Sequence, residues 1–135
     1  MTQIIETKKK ENLYRGKTLE ELKNLEVREF AKYLTSRPKR TLLRNFQIIE
    51  DFVSRVKMKT EKGKPIRTHY RDIIIVPQLI GSRIAVYDGR NFAPVDITMD
   101  MLGHRLGEFA PSRGRVKHGS AGVGATKGSK HKAKK

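Results

Sequence analysis

His69, His104, His118 and His131 are the side chains of this sequence best suited to ligate a metal, and no cysteine accompanies them. No two of them stand at the short spacings that zinc sites use, so the sequence predicts no metal centre and no cofactor. Gly119 and Gly124 have the first spacing of a phosphate-binding loop, but Ala125 and Thr126 occupy the places where Lys and then Ser or Thr are required. The strand before such a loop and the helix after it are missing as well. No serine lies in a nucleophile-elbow pattern. Asp72, Asp88, Asp96, Asp100 and Glu108 read as turn, cap and charge-balancing residues. With no general acid/base pair or nucleophile in view, neither an enzyme nor a small-molecule substrate is expected.

The cations offer a different chemistry, the binding of phosphate. Arg37, Lys39, Arg40 and Arg44 crowd a break expected between helices, where backbone N–H groups and guanidinium forks can meet phosphates together. By the period-two rule of a strand, Arg67, His69 and Arg71 project from one face and Tyr70 from the other. Within Met101–Phe109 the apolar residues belong to a core, Gly103 allows close approach to another backbone, and His104 and Arg105 point outward. Arg113, Arg115, Lys117, His118 and Lys127 lie in a glycine-rich end that is expected to run extended along a phosphate backbone.

The charge of the whole chain agrees with that reading. Thirty Lys and Arg against 14 Asp and Glu give 135 residues a net charge of +16, and such a chain repels itself unless a polyanion neutralises it. A membrane is a poor candidate for that polyanion. A bilayer span needs roughly 20 apolar residues, and the longest apolar runs, Ile73–Val76 and Leu79–Ile80, are broken by Pro77 and Gln78. The early lysines follow Ile4 and Ile5 instead of preceding them, the reverse of a secretory signal, and the lack of cysteine gives no sign of an oxidising compartment. The expectation is a cytoplasmic protein that binds nucleic acid and has no membrane partner. Residues 1–17 carry five positive and two negative charges, 18–62 eleven and seven, 63–108 six and five, and 109–135 eight and none. A nearly neutral middle can bury a core, whereas the cationic end is expected to order only on a partner.

Positioning these cations falls to elements that the apolar pattern outlines. Thr18 and Glu21 have capping-box spacing, and Leu19, Leu22, Leu25, Phe30 and Leu34 predict short helices over 18–24 and 27–34. Ser36–Arg40 is expected to break them, because Pro38 disfavours helix at Arg37. Phe46, Ile49, Phe52, Val53 and Val56 predict an amphipathic helix over 43–58, and Glu61–Pro65 a linker. Ile66–Tyr70 and Ser82–Tyr87 read as strands. Asp88-Gly89 supplies the two positive-φ residues of a tight hairpin turn, and Asn91–Ile97 is the return strand, with Pro94 at an edge or bulge. Thr98 is placed to cap a short helix through Leu106 that Gly107 ends. The fold class is therefore α+β: a small three-stranded, mostly antiparallel sheet with short helices, an N-terminal helical extension and a disordered basic C-terminal tail. The chain divides into a basic N-terminal segment 1–17, a helical extension 18–62, an α+β RNA-binding core 63–111 and a basic Gly-rich tail 112–135.

Several motifs in fixed order make the reading specific. Ile66-Arg67-Thr68-His69-Tyr70-Arg71-Asp72, Val86-Tyr87-Asp88-Gly89, Gly103-His104-Arg105-Leu106-Gly107-Glu108-Phe109 and Val116-Lys117-His118-Gly119 together resemble the small-subunit ribosomal protein family S-nineteen. Tyr14–Leu22 and Gly122–Thr126 are similar to its archaeal and eukaryotic branch, which carries an N-terminal helical extension. The resemblance covers residues 13–128. Lys130–Lys135 departs from it, replacing a more apolar terminus. The resemblance implies a structural protein in the head of the small ribosomal subunit, bound to the 3′ major domain of the small-subunit rRNA and paired with ribosomal protein S-thirteen. Its tail would reach toward the decoding region and the tRNAs. The family's rRNA contacts fall, by position, on Arg67, Arg71, His104, Arg105, Arg113 and Lys117-His118-Gly119. Two other readings stay open at this point: a free-standing RNA-binding regulatory protein and a basic enzyme acting on RNA. The first calls for a dimerisation surface or an outward-facing recognition helix, the second for paired carboxylates or bound metals.

Overall fold

The computed structural model describes residues 13–114. They open on a two-residue turn in which Tyr14 and Lys17 exchange both backbone hydrogen bonds, at 3.0 and 3.1 Å, across Arg15 (φ 49°) and Gly16 (φ 79°). Paired positive φ is the geometry expected at Asp88-Gly89, and it occurs here instead. Helix α1 (Leu19–Asn24) follows, with the Thr18 hydroxyl accepting the Glu21 N–H at 3.4 Å. The other half of that capping box does not form, because the Glu21 carboxylate faces Lys17 Nζ at 3.7 Å. Helix α2 (Val27–Phe30) runs on into a 3-10 turn, Ala31–Tyr33.

The expected break at Ser36–Arg40 is instead the start of a helix, α3 (Ser36–Arg44). Pro38 stands in its first turn, where a backbone N–H has no intrahelical acceptor to lose, and the ladder begins one residue later with Lys39 N–H donating to Thr35 O at 3.0 Å. Only Asn45 separates α3 from α4 (Phe46–Glu61), which buries Ile49, Phe52, Val53 and Val56 as the periodicity predicts. The helix expected over 43–58 is thus two helices, with the junction at Asn45.

The sheet has three strands, β1 (Ile66–Thr68), β2 (Arg83–Tyr87) and β3 (Phe92–Asp96), in the order β1-β2-β3. It is mixed: β2 and β3 form the expected antiparallel hairpin with five residue pairs, while β1 and β2 pair in parallel over three. A parallel pair requires a long return connection, and residues 69–82 provide it. The hairpin loop holds four residues, Asp88–Asn91, beyond the last pair Tyr87 and Phe92. Gly89 (φ 107°) has positive φ but Asp88 does not. The Asp88 carboxylate closes the loop by accepting the N–H groups of Arg90 and Asn91, each at 2.7 Å, and these bonds hold its carboxyl below the usual range.

The connection from β1 to β2 sets the rest of the fold. Ile73–Val76 run fully buried, and their backbone is met by the segment around Gly103: Gly103 N–H donates to Ile75 O (3.1 Å), Ile75 N–H to His104 O (2.9 Å) and Leu106 N–H to Ile73 O (3.1 Å). Because these bonds recruit the backbone, the helix expected from Thr98 to Leu106 appears as two 3-10 turns, Met99–Met101 and Leu106–Phe109, with Gly103 (φ 80°) between them. The close approach expected at Gly103 is present, since its N–H meets Ile75 O and a Cβ there would lie 2.8 Å from Leu34 Cδ2, and it recurs at Gly107, where a Cβ would lie 2.9 Å from Arg71 O. One hydrophobic cluster runs from Leu22 and Phe30 through Leu42, Ile49 and Phe52 to Ile75, Ile84 and Leu106, so residues from 18–62 and from 63–111 share a core.

Candidate nucleic-acid interface

Leu42 is fully buried and fixes the orientation of α3. At 100° per residue, Arg37, Arg40 and Arg44 fall on the side of that helix opposite Leu42, and all three are exposed, with exposed Lys39 on its flank. The four residues predicted at a break are thus displayed by a regular helix, which gives the arginines a fixed spacing. Arg105 extends their surface: its guanidinium donates to the Thr41 hydroxyl at 3.5 Å, and that hydroxyl donates to Arg37 O at 3.1 Å. The Ile73–Ile75 backbone ladder is what holds Arg105 there. His104 and Arg105 are exposed, as the sequence predicts.

His104 Nδ1 lies 2.7 Å from a Glu108 oxygen, and the other Glu108 oxygen accepts the Arg105 N–H at 3.1 Å. The backbone bond, helped by His104, holds the Glu108 carboxyl below the usual range. Among the described residues the ion pairs are Lys17–Glu21, Arg83–Asp96 and His104–Glu108, so the α3 arginines take part in none of them, while the charge of Arg105 also acts on the Glu108 carboxylate. The α3 charges are free to meet phosphate. No group of three or more His, Cys, Asp or Glu among the described residues could hold a metal ion, and no described helix is long and apolar enough to cross a membrane.

The second predicted group is divided. β1 ends at Thr68, whose hydroxyl accepts the Tyr70 N–H at 3.1 Å and turns the chain. Arg67 and His69 stay exposed beside the rings of Tyr87 and Phe92. Arg71 does not share their face. Its guanidinium donates to Tyr87 O (2.5 Å), Gly107 O (3.0 Å) and Ala110 O (2.5 Å), clamping the hairpin to the last 3-10 turn. Arg113 is exposed near the end of the described chain, and Arg115, Lys117, His118 and Lys127 lie outside the described residues.

Sequence reasoning missed Arg55 and Lys59, which line a 380 Å³ groove between α4 and β1 together with Arg67 and Tyr70. Their i, i+4 spacing was a usable signal, although the helix predicted over 43–58 stopped one residue short of Lys59, but their proximity to β1 is tertiary. Lys64 and Arg83, beside the outer face of the sheet, were missed for the same reason.

Comparison with known proteins adds to this geometry. A family model described as ribosomal protein S19 matches residues 53–118. The small ribosomal subunit protein uS19 of Methanococcoides burtonii is 41% identical to this chain over 130 residues, which is 96% of this chain and 93% of the relative.

Proposed function

Because this chain belongs to the ribosomal protein S19 family, a structural and non-enzymatic constituent of the small ribosomal subunit, we propose that it sits in the head of that subunit, bound to the 3′ major domain of the small-subunit rRNA. Membership in a ribosomal family sets aside the free-standing regulator and the RNA enzyme. The observation that carries the rRNA reading is the face of α3: Arg37, Arg40 and Arg44 in a row, in none of the described ion pairs, continued by Arg105.

Each guanidinium that meets a phosphate releases counterions and can form two parallel hydrogen bonds to it. Folded RNA is then recognised by the shape of its backbone more than by base sequence. Arg67, His69, His104 and Arg113 add to the rRNA surface, whereas Arg71 contributes from inside, by holding the hairpin against the last turn. On the same reading, ribosomal protein S-thirteen is a neighbour and residues 112–135 reach toward the decoding region and the tRNAs. Family membership supports that placement, as do the eight positive and no negative charges of 109–135.

Replacing Arg37, Arg40 and Arg44 together by Ala tests the assignment. Binding to an rRNA fragment of the subunit head should weaken at least about tenfold, roughly 1.4 kcal/mol. The slope of log affinity against log salt should flatten by about 0.9 for each phosphate that is no longer neutralised. Melting should stay near that of the unchanged protein, because all three side chains are exposed. Unchanged affinity and slope would remove α3 from the interface.

A further inference from the structure

The strand register places Arg67, Ala85 and Pro94 side by side on one face of the sheet, with the pairs Arg83–Asp96 and Tyr87–Phe92 on the same face at either end. The opposite face, with Ile66, Ile84, Val86 and Val95, is buried in the core. The outer face is a shallow groove of about 560 Å³ lined in part by Lys64, Arg67, Arg83, Ala85, Phe92 and Pro94. At one end three rings gather: His69 lies 4.5 Å from Tyr87 and 5.2 Å from Phe92, and Tyr87 lies 5.2 Å from Phe92, centroid to centroid. Arg67 stands over Phe92 at 5.6 Å. Three cations, Lys64, Arg67 and Arg83, line this groove, and the acid beside them is Asp96, 3.4 Å from Arg83.

We infer that this outer sheet face is a stacking platform for unpaired RNA bases, an assignment that rests on the rRNA-binding reading and specifies a second mode within it. Flat rings next to cations suit a splayed nucleotide: the base lies against the ring cluster and its phosphate meets Arg67 or Lys64. A duplex does not fit this chemistry, because its base faces are already covered by their neighbours. Charge selects RNA over a protein partner, since the lining is cationic and the chain carries +16. The α3 surface meets phosphates through charge and hydrogen bonds, whereas this face adds contact with the base.

The probe is a short single-stranded RNA carrying one 2-aminopurine, whose fluorescence is quenched on stacking, titrated with the full chain at moderate salt. The Phe and Tyr residues all lie between Tyr14 and Phe109, so the Gly-rich end has none to quench it. Quenching by the unchanged protein is expected. Phe92→Leu should lower affinity about fivefold to a hundredfold, the range of one base–aromatic stack, while leaving the salt slope unchanged. His69→Ala, at an exposed position, should reduce the quenching in the same sense and decides the matter if Phe92→Leu melts early. Arg67→Gln should flatten the slope by the share of one phosphate, about 0.7 for a single strand. Tyr70, 45% exposed, lines the neighbouring groove with Arg67 and His69 but is in none of the three ring pairs, so it is the control, and Tyr70→Leu should leave the quenching intact. Absence of quenching while the head rRNA fragment still binds would overturn the platform and leave the rRNA reading standing. Quenching lost on Tyr70→Leu and retained on Phe92→Leu would overturn it too. Failure to bind the head fragment at all would remove the rRNA reading with it.

Discussion

Arg71→Leu should lower the stability of the free protein by about 3 kcal/mol, through loss of hydrogen bonds from a charged donor and the unpaired acceptors left behind. For a domain of about 100 residues that corresponds to a fall in Tm on the order of 12–20 °C. Three carbonyls depend on this one guanidinium: that of Tyr87 at the end of β2, and those of Gly107 and Ala110 at the last 3-10 turn. Leucine fills part of the space but leaves the three acceptors without that donor. Arg71→Lys should recover only part of the loss, since an ammonium cannot reproduce a planar fork that spans acceptors on two sides. The resemblance to the ribosomal family assigns Arg71 to rRNA, and the two roles separate experimentally. If the guanidinium served phosphate, Tm would hold and RNA affinity would fall. The clamp predicts the reverse at temperatures where the variant is folded.

Affinity for the head rRNA fragment should fall by about a thousandfold or more between 50 and 200 mM salt, the drop expected for six or more phosphate contacts. Arg37, Lys39, Arg40, Arg44, Arg67 and Arg105 are exposed cations of the described chain. Eight more positive charges follow Phe109 with no acid among them. Each neutralised phosphate releases its counterions into bulk solution, and that release is worth less as the bulk becomes more concentrated. A nearly flat dependence would mean that the cations are solvated surface and that shape or base contacts supply the binding free energy.

Much of this molecule was legible in the sequence because its signals are local. The apolar period of Ile49, Phe52, Val53 and Val56 marks the buried face of α4, and Thr18 caps α1 with its hydroxyl. The sense of β1 relative to β2 was not legible. It depends on where a 14-residue connection, 69–82, returns the chain, and no residue of β1 encodes that. Pro38 misled because a proline breaks a helix in its interior and is accommodated in its first turn, and the pattern alone does not say which applies. Asp88-Gly89 has the composition of a two-residue turn, but the Asp88 carboxylate captures two backbone N–H groups and makes a four-residue loop. Arg15-Gly16, whose first residue gives no turn signal, takes the paired positive φ.

The candidate site divides along the same line. That Arg37, Arg40 and Arg44 are surface cations was readable, and their common face required knowing that α3 is a helix. That Arg71 turns inward was not readable, since its three acceptors come from residues 16 to 39 positions away. The ring cluster of His69, Tyr87 and Phe92 needed the parallel register for the same reason.

Hydroxyl-radical footprinting of the purified chain on full-length small-subunit rRNA reads out where on that RNA the protein binds. Protection should concentrate within the 3′ major domain, which forms the head, and should fade there when Arg37, Arg40 and Arg44 are replaced by Ala. Protection spread evenly over the rRNA, or concentrated in another domain, would mean that the protein does not bind the head.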